Sequence, residues 1–173
     1  MTDNPAFCKD LIIRHAVEAD IPFLLCESEA VYMQFLFQSA YHGMQRGEQL
    51  MWVVERNEKI IGQVFVQYAS MRPQLANGID RAYFYSFRVD PDSRSQGVGS
   101  RLMAVVEEDL RKRGFSLLTL TVEKANTRAI QLYERLGYRI VGSESVHKNQ
   151  RTVRDRWEQV EVDAWRMEKR LNR

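Results

Sequence analysis

Arg94-Ser95-Gln96-Gly97-Val98-Gly99-Ser100 sets two glycines and a permanent cation where an extended run gives way to a helix. The first N–H groups of a helix lack acceptors and sit at its positive dipole end, so they attract anions. Glycine lets that backbone approach a bulky anion, and Arg94 adds charge beside it. The stretch therefore suits a phosphate or pyrophosphate. A second reading needs no ligand: the glycines serve a tight turn between strand and helix. Two phosphate-binding patterns are excluded, because Ser100 and Leu102 follow where a dinucleotide fingerprint needs its third glycine, and no Gly-Lys-Ser/Thr of a P-loop occurs.

The elements that must position this turn are legible on both sides. Arg81 to Val89 reads as a strand that stops near Asp90, since Pro91 cannot donate to a ladder and biases its predecessor away from helix. Val98, Leu102, Val105, Val106 and Leu110 fall on one apolar helix face, which Gly114 ends. Phe115 to Val122 is nearly all apolar, as in a central strand covered on both faces. Asn126 is the expected N-cap of a helix with Ala129, Ile130, Leu132, Tyr133 and Leu136 on its apolar side and Gly137 at its end. Tyr138–Val141 and Val160–Met167 read as strands, and the charged stretch Ser143–Gln159 as their connection.

Upstream, residues 1–10 read as a flexible arm before a short strand, Leu11 to Arg14. Asp20 is an expected N-cap with Pro22 early in the helix that follows. Helical spacing continues from Ile21 to Leu36, closed by Gly43 and Gly47. Tyr32, Phe35, Phe37, Tyr41 and His42 form a stripe that either belongs to the core or lines a pocket. Leu50–Arg56 and Ile60–Ala69 make a hairpin around Asn57-Glu58-Lys59, with Gly62 at a bulge, and Ser70–Asp80 is a loop.

The 173 residues suit one domain, 1–173. With 25 basic and 23 acidic residues the net charge is +2, which does not suggest a nucleic-acid binder. No apolar run is long enough to cross a membrane, and the acidic start is unlike a signal peptide. Cys8 and Cys26 are isolated, without metal-ligand or disulfide spacing, so a reducing cytoplasm is the expected location.

Two motifs together resemble the GNAT superfamily of acyl-CoA N-acyltransferases. Arg94 to Gly99 is similar to its Gln/Arg-x-x-Gly-x-Gly/Ala loop. Asn126-Thr127-Arg128-Ala129-Ile130-Gln131-Leu132-Tyr133-Glu134-Arg135-Leu136-Gly137-Tyr138 is similar to its Asn-x-x-Ala-x-x-Leu-Tyr-x-x-x-Gly-Phe/Tyr segment. The resemblance is sharp from Arg81 to Val141 and implies an α/β (mixed α+β) fold, a curved mixed central sheet of about six or seven strands with helices on both faces. It implies acetyl-CoA as co-substrate and no metal. The cofactor would enter between the strands Arg81–Val89 and Phe115–Val122. The backbone of Phe87, Arg88 and Val89 would run beside the pantetheine arm. Gln96, Gly97, Val98, Gly99 and Ser100 would hold the pyrophosphate, with Arg94 and Ser95 at the loop entrance and Asn126 reaching the pantetheine from the far side. The Val89 N–H would face the oxyanion, and the Tyr133 hydroxyl would protonate the leaving sulfur. The acceptor would be a primary amine of a small molecule or a peptide, attacking directly in a ternary complex, with neither nucleic acid nor membrane involved. Self-association to a homodimer is common in similar proteins.

An unperturbed amine with a pKa of about 10.4 is nearly all protonated at neutral pH, so a proton must be taken from it. Where the family often carries a glutamate, this sequence has Tyr83 and Thr121. Glu123, His42, Asp80 and His147 are nearby alternatives, as are a water chain and an acceptor that arrives neutral; no base is assigned. Tyr133 has its own second reading as a core tyrosine. Lys148, Arg151, Arg154 and Arg156 against Glu144, Asp155 and Glu158 fit either an anionic acceptor or a solvated loop. A non-catalytic acyl-CoA sensing module is the alternative function, motivated by the missing carboxylates.

Overall fold

The computed structural model describes residues 10–24, 31–151 and 157–171. The described chain forms two compact units, one running up to Leu118 and taking back Leu171, the other Thr119–Arg170. Together they carry the seven strands of a mixed α/β fold.

In the first unit β1 (Ile12–His15), β2 (Gln49–Arg56), β3 (Lys59–Gln67) and β4 (Arg81–Val89) lie side by side in that order, each antiparallel to the next. Two helices, α1 (Val31–Gln45) and α2 (Val98–Lys112), cover them. Neighbouring residues of a strand point to opposite faces. Met51 and Val53 join Phe37 and Ala40 of α1 in one core cluster, whereas Trp52 between them faces Ala104 and Val105 of α2. The face of α2 read from spacing is buried at Val98, Leu102, Val106 and Leu110, with Met103 added. Each such side chain contributes about 1.5–3 kcal/mol of apolar burial.

The β2–β3 register slips between Val54 and Glu55, so Ile61 is the extra residue of a bulge beside Gly62, as the glycine suggested. Residues 70–80 form the expected loop, closed by the Asn77 carboxamide oxygen, which accepts from the N–H groups of Ile79, Asp80 and Arg81.

Asp20 departs from its expected role. It lies inside a 3-10 turn, Glu18–Phe23, where its carboxylate reaches back to the Val17 N–H at 2.7 Å and takes two bonds from the Arg14 guanidinium at 2.7 and 2.9 Å. Arg14 also bonds Glu55. A bidentate, charge-assisted pair at the edge of the core outweighs simple capping. Gly43 is likewise inside α1 rather than past its end, and Gly47, at φ 76°, follows the helix. Phe37 is core, Tyr41 packs against that core, and Phe35 and His42 are exposed, which disperses the expected aromatic stripe. The Tyr32 side chain, Cys8, Cys26 and residues 1–9 lie outside the described residues.

The second unit holds most of β5 (Leu117–Glu123), from Thr119 on, with α3 (Thr127–Arg135), β6 (Arg139–Arg151) and β7 (Trp157–Arg170), in strand order β5-β7-β6. Here the sequence misleads. Ser143 to Gln159 is not a connection wherever it is described: it extends a long antiparallel hairpin, paired from Arg139 opposite Glu168 to Arg151 opposite Trp157. Exposed strands accept charges, so charge density alone does not mark a loop. Arg154, Asp155 and Arg156 fall outside the described residues.

Candidate active site

The end of β4 is tied down before the glycine turn begins. The Asp90 N–H donates to Ile61 O at 2.9 Å, and its carboxylate pairs with Lys59 at 3.2 Å and accepts from the Asp92 N–H at 3.1 Å. The Lys59 ammonium, with those hydrogen bonds, holds the Asp90 carboxyl below its ordinary range. Pro91 opens a 3-10 turn, Pro91–Ser93. The Arg94 Nε then donates to Val89 O at 2.9 Å, and the Gln96 amide to Asp92 O at 2.8 Å, so the turn is bound to the strand it leaves.

Ser95 and Gly97 have φ of 61° and 80° on either side of Gln96. Left-handed residues interleaved with ordinary ones gather successive N–H groups into a concavity that suits an anion. The first intrahelical bond of α2 runs from the Arg101 N–H to Gly97 O at 3.0 Å. The N–H groups of Val98, Gly99 and Ser100 therefore have no acceptor within the helix. A Cβ on Gly99 would stand 3.0 Å from Phe87 Cζ and 3.6 Å from Val89 Cγ2. Gly97 supplies the left-handed turn and Gly99 the close approach of α2 to β4, and the N–H groups of the first turn face outward without acceptors in the helix.

In β4, Gln63 is opposite Arg88 and Phe65 opposite Tyr85, so Val64 alone faces Ser86 and Phe87. This is a bulge, and Ser86 occupies it at φ 50° without being glycine. Sequence reading missed it because neither residue carries a bulge signal. The Asp90 bond to Ile61 puts Val89, opposite Gly62, in a pair whose N–H and C=O point away from β3. Its N–H can thus donate to a ligand oxygen, while its carbonyl takes the Arg94 guanidinium. Arg88 is in the alternate register, with its backbone turned toward β3.

In the second unit Asn126 caps α3: its side-chain oxygen accepts from the Ala129 N–H at 3.2 Å. Tyr133 is only 6% exposed, with its ring centroid 6.0 Å from that of Tyr138, whose N–H donates to Tyr133 O at 2.9 Å. Gly137, at φ 90°, makes the turn that joins the two. Beyond β5, the Lys124 ammonium lies 4.3 Å over the Trp165 ring and 3.9 Å from the Asp163 carboxylate.

Of the alternatives for a base, Asp80 accepts from Asn77 and Ser116, which hold its carboxyl low and suit a structural role. His42 is exposed beside Gln38, and His147 is exposed on β6. Tyr83 stacks on Tyr85 with centroids 6.0 Å apart. The Tyr85 hydroxyl donates to the side-chain oxygen of Gln49, and burial, with Tyr83 beside it, pushes its pKa up to about 12. Gln49 and Tyr85 were not singled out from sequence, although strand alternation puts Tyr83 and Tyr85 on one face. A furrow of about 450 Å³ runs along α2 past Trp52 and Val105. Its charged wall is engaged in ion pairs, Glu108 with Arg111 and Asp109 with Arg113, and it lies beyond the first turn that offers N–H groups.

The sequence model of the acetyltransferase (GNAT) family matches residues 15–138. The ribosomal protein bS18-alanine N-acetyltransferase of Escherichia coli (strain K12) is 32% identical over 107 residues, covering 58% of this chain and 72% of that protein. The crystal structure of the Escherichia coli ribosomal-protein-S18-alanine N-acetyltransferase superposes with a TM-score of 0.69 at 24% identity, over 94% of this chain and 95% of that one. An acetyltransferase from Salmonella typhimurium, solved with its cofactor acetyl-CoA, has a TM-score of 0.64 at 18% identity, over 94% of this chain and 95% of that one. With a family match across most of its length and the strand–turn–helix cradle that carries the first motif, the chain belongs to the GNAT family of acetyltransferases.

Proposed function

We propose that the protein transfers the acetyl group of acetyl-CoA to a primary amine, with the amine attacking directly while both substrates are bound. The observation that carries this reading is the turn from Arg94 to Ser100: tied to β4, left-handed at Ser95 and Gly97, and opening a helix whose first N–H groups lack internal acceptors. These N–H groups hold the pyrophosphate and Arg94 adds its charge. The edge of β4 from Phe87 to Val89 orients the pantetheine arm, and Asn126 is the pantetheine-binding position that the family resemblance implies. The Val89 N–H donates to the thioester carbonyl oxygen as charge gathers there. The neutral amine nitrogen adds to the thioester carbonyl carbon, the C–S bond then breaks, the departing sulfur takes the Tyr133 hydroxyl proton, and the proton that the acceptor nitrogen loses passes to solvent, from which the tyrosinate is reprotonated. A similar protein acts on an alanine of a ribosomal protein, so a peptide amine is the acceptor to try first.

Free-thiol release from acetyl-CoA, measured against amino acids, polyamines, aminoglycosides and short peptides beside a CoA-induced thermal shift, tests the reading. Release with one acceptor class supports it and names the class. A shift without release favours an acyl-CoA sensing module, for which Tyr83 and Thr121 in place of carboxylates speak. No shift removes the cofactor assignment.

A further inference from the structure

Asn77 is the only asparagine of the chain that a glycine follows. In an unfolded chain such a pair rearranges without a catalyst. The glycine's backbone nitrogen loses its proton to solvent and bonds the carboxamide carbon, and the bond from that carbon to Nδ2 breaks as ammonia leaves. Water then opens the five-membered imide. Breaking the ring bond to Cγ gives aspartate, and breaking the bond to the main-chain carbonyl gives isoaspartate, in which the backbone runs through the former side chain. Glycine favours the closure because no side chain shields its nitrogen.

The folded loop opposes each of these movements. The Gly78 N–H donates to Tyr68 O at 2.8 Å, so the nitrogen that must attack keeps its proton. The Asn77 Oδ1 accepts from the N–H groups of Ile79, Asp80 and Arg81 at 3.0, 3.1 and 3.0 Å, and its Nδ2 donates to the Asp80 carboxylate at 2.8 Å. Closing the ring makes Cγ tetrahedral and draws both atoms out of these bonds. Three donors on Oδ1 also polarise the carboxamide, which by itself favours attack; a nitrogen that keeps its proton has no lone pair to offer, so the bond to Tyr68 decides. Burial plays little part, because Asn77 is half-buried and Gly78, Ile79 and Asp80 are exposed. We propose that Asn77–Gly78 is a site of spontaneous deamidation that hydrogen bonding in the native fold holds shut and that opening of the 70–80 loop releases. The product fits the fold poorly, since a carboxylate at position 77 sets like charge against Asp80 where Nδ2 now donates. The Asp80 carbonyl in turn accepts from the Ser116 and Leu117 N–H groups at 2.8 and 3.0 Å, so the modification loosens the joint between the loop and the chain entering β5. The inference is independent of the acetyl-transfer reading.

The test is peptide mapping by mass spectrometry, with aspartate and isoaspartate products separated, on the full chain held at neutral pH either native or in guanidinium chloride. In denaturant Asn77 converts before every other asparagine. In the native protein it converts at least about tenfold more slowly, the protection that one such hydrogen bond provides. Asn77→Asp, which carries the charge of the product on an ordinary backbone, melts at a lower Tm than wild type. Equal rates at Asn77 in the two conditions, or earlier conversion of another asparagine in denaturant, overturns the guarded site. An unchanged Tm in Asn77→Asp overturns the consequence drawn for the loop. The rate comparison uses the unsubstituted chain and so decides the matter even where Asn77→Asp does not fold.

Discussion

At position 97 the backbone needs a left-handed conformation, and at position 99 it needs space, so the same substitution at the two glycines should fail differently. Gly97→Ala meets a penalty of about 1–2 kcal/mol for a side chain at positive φ, and we expect it to weaken CoA binding by disturbing the N–H groups on either side. Gly99→Ala keeps helical dihedrals but pushes on the Phe87 ring, so its effect should reach β4 and appear as a lowered Tm as well. Calorimetric CoA affinity beside a melting curve separates the two. An alanine at either site with unchanged affinity would remove the cradle from the cofactor. For Tyr133, whose near-complete burial suits a core residue equally well, function has to be read by activity: Tyr133→Phe is expected to lower kcat about 100-fold with acetyl-CoA affinity retained. Turnover unchanged at every pH would leave the residue a packing tyrosine. Neither glycine's separate role was visible in the motif, because a spacing records which residues are small and not what each makes room for.

At the scale of elements, α2 joins the cradle to the core, and its anchors were readable at 3.6-residue spacing. Leu102→Ala is expected to destabilise the protein by about 3 kcal/mol, measurable by urea unfolding, since a fully buried leucine leaves a cavity when truncated. The legible elements share a property: their determinants are local. Pro91 stops β4, Asn126 caps α3, and Gly114 and Gly137 take left-handed φ after their helices, all within a turn of the residues they affect. What the sequence hid was decided at a distance. Asp20 lies at the third position of the 3-10 turn, where it bonds the Val17 N–H and is also held by Arg14, which Glu55 engages from another strand. Tyr85 and Gln49 are 36 residues apart. The β6–β7 hairpin is stabilised by pairing along its length, whereas its charges read locally as a solvated loop. The bulge at Ser86 is a mismatch between two strands and has no sequence signal in either one.

For the folded molecule as a whole, two ionisable groups at the start of the chain couple stability to pH in separate windows. The His15 ring lies edge-on to Trp52 at 4.1 Å. Burial lowers its pKa from the ordinary 6.5, Asp109 opposing and Arg113 assisting. A folded state that resists a proton which the unfolded chain accepts loses stability as pH falls below about 6.5. The Asp20 carboxyl is held below its ordinary 3.8 chiefly by hydrogen bonds from Arg14, so its contribution is present above that value and is lost as pH falls through the lower, folded value. We therefore expect Tm to be flat above neutrality, to decline first as pH falls below about 6.5, and to decline again below about pH 4. His15→Gln should remove the first decline and leave the second. Asp20→Asn should lower Tm at neutral pH, where the pair with Arg14 is lost, and shrink the second decline. Scanning calorimetry of the three proteins from pH 8 to pH 3 decides the matter. Parallel curves for wild type and His15→Gln would mean that the ring accepts its proton as readily in the fold as in water, so that partial desolvation on one side of the ring has no effect on its charge.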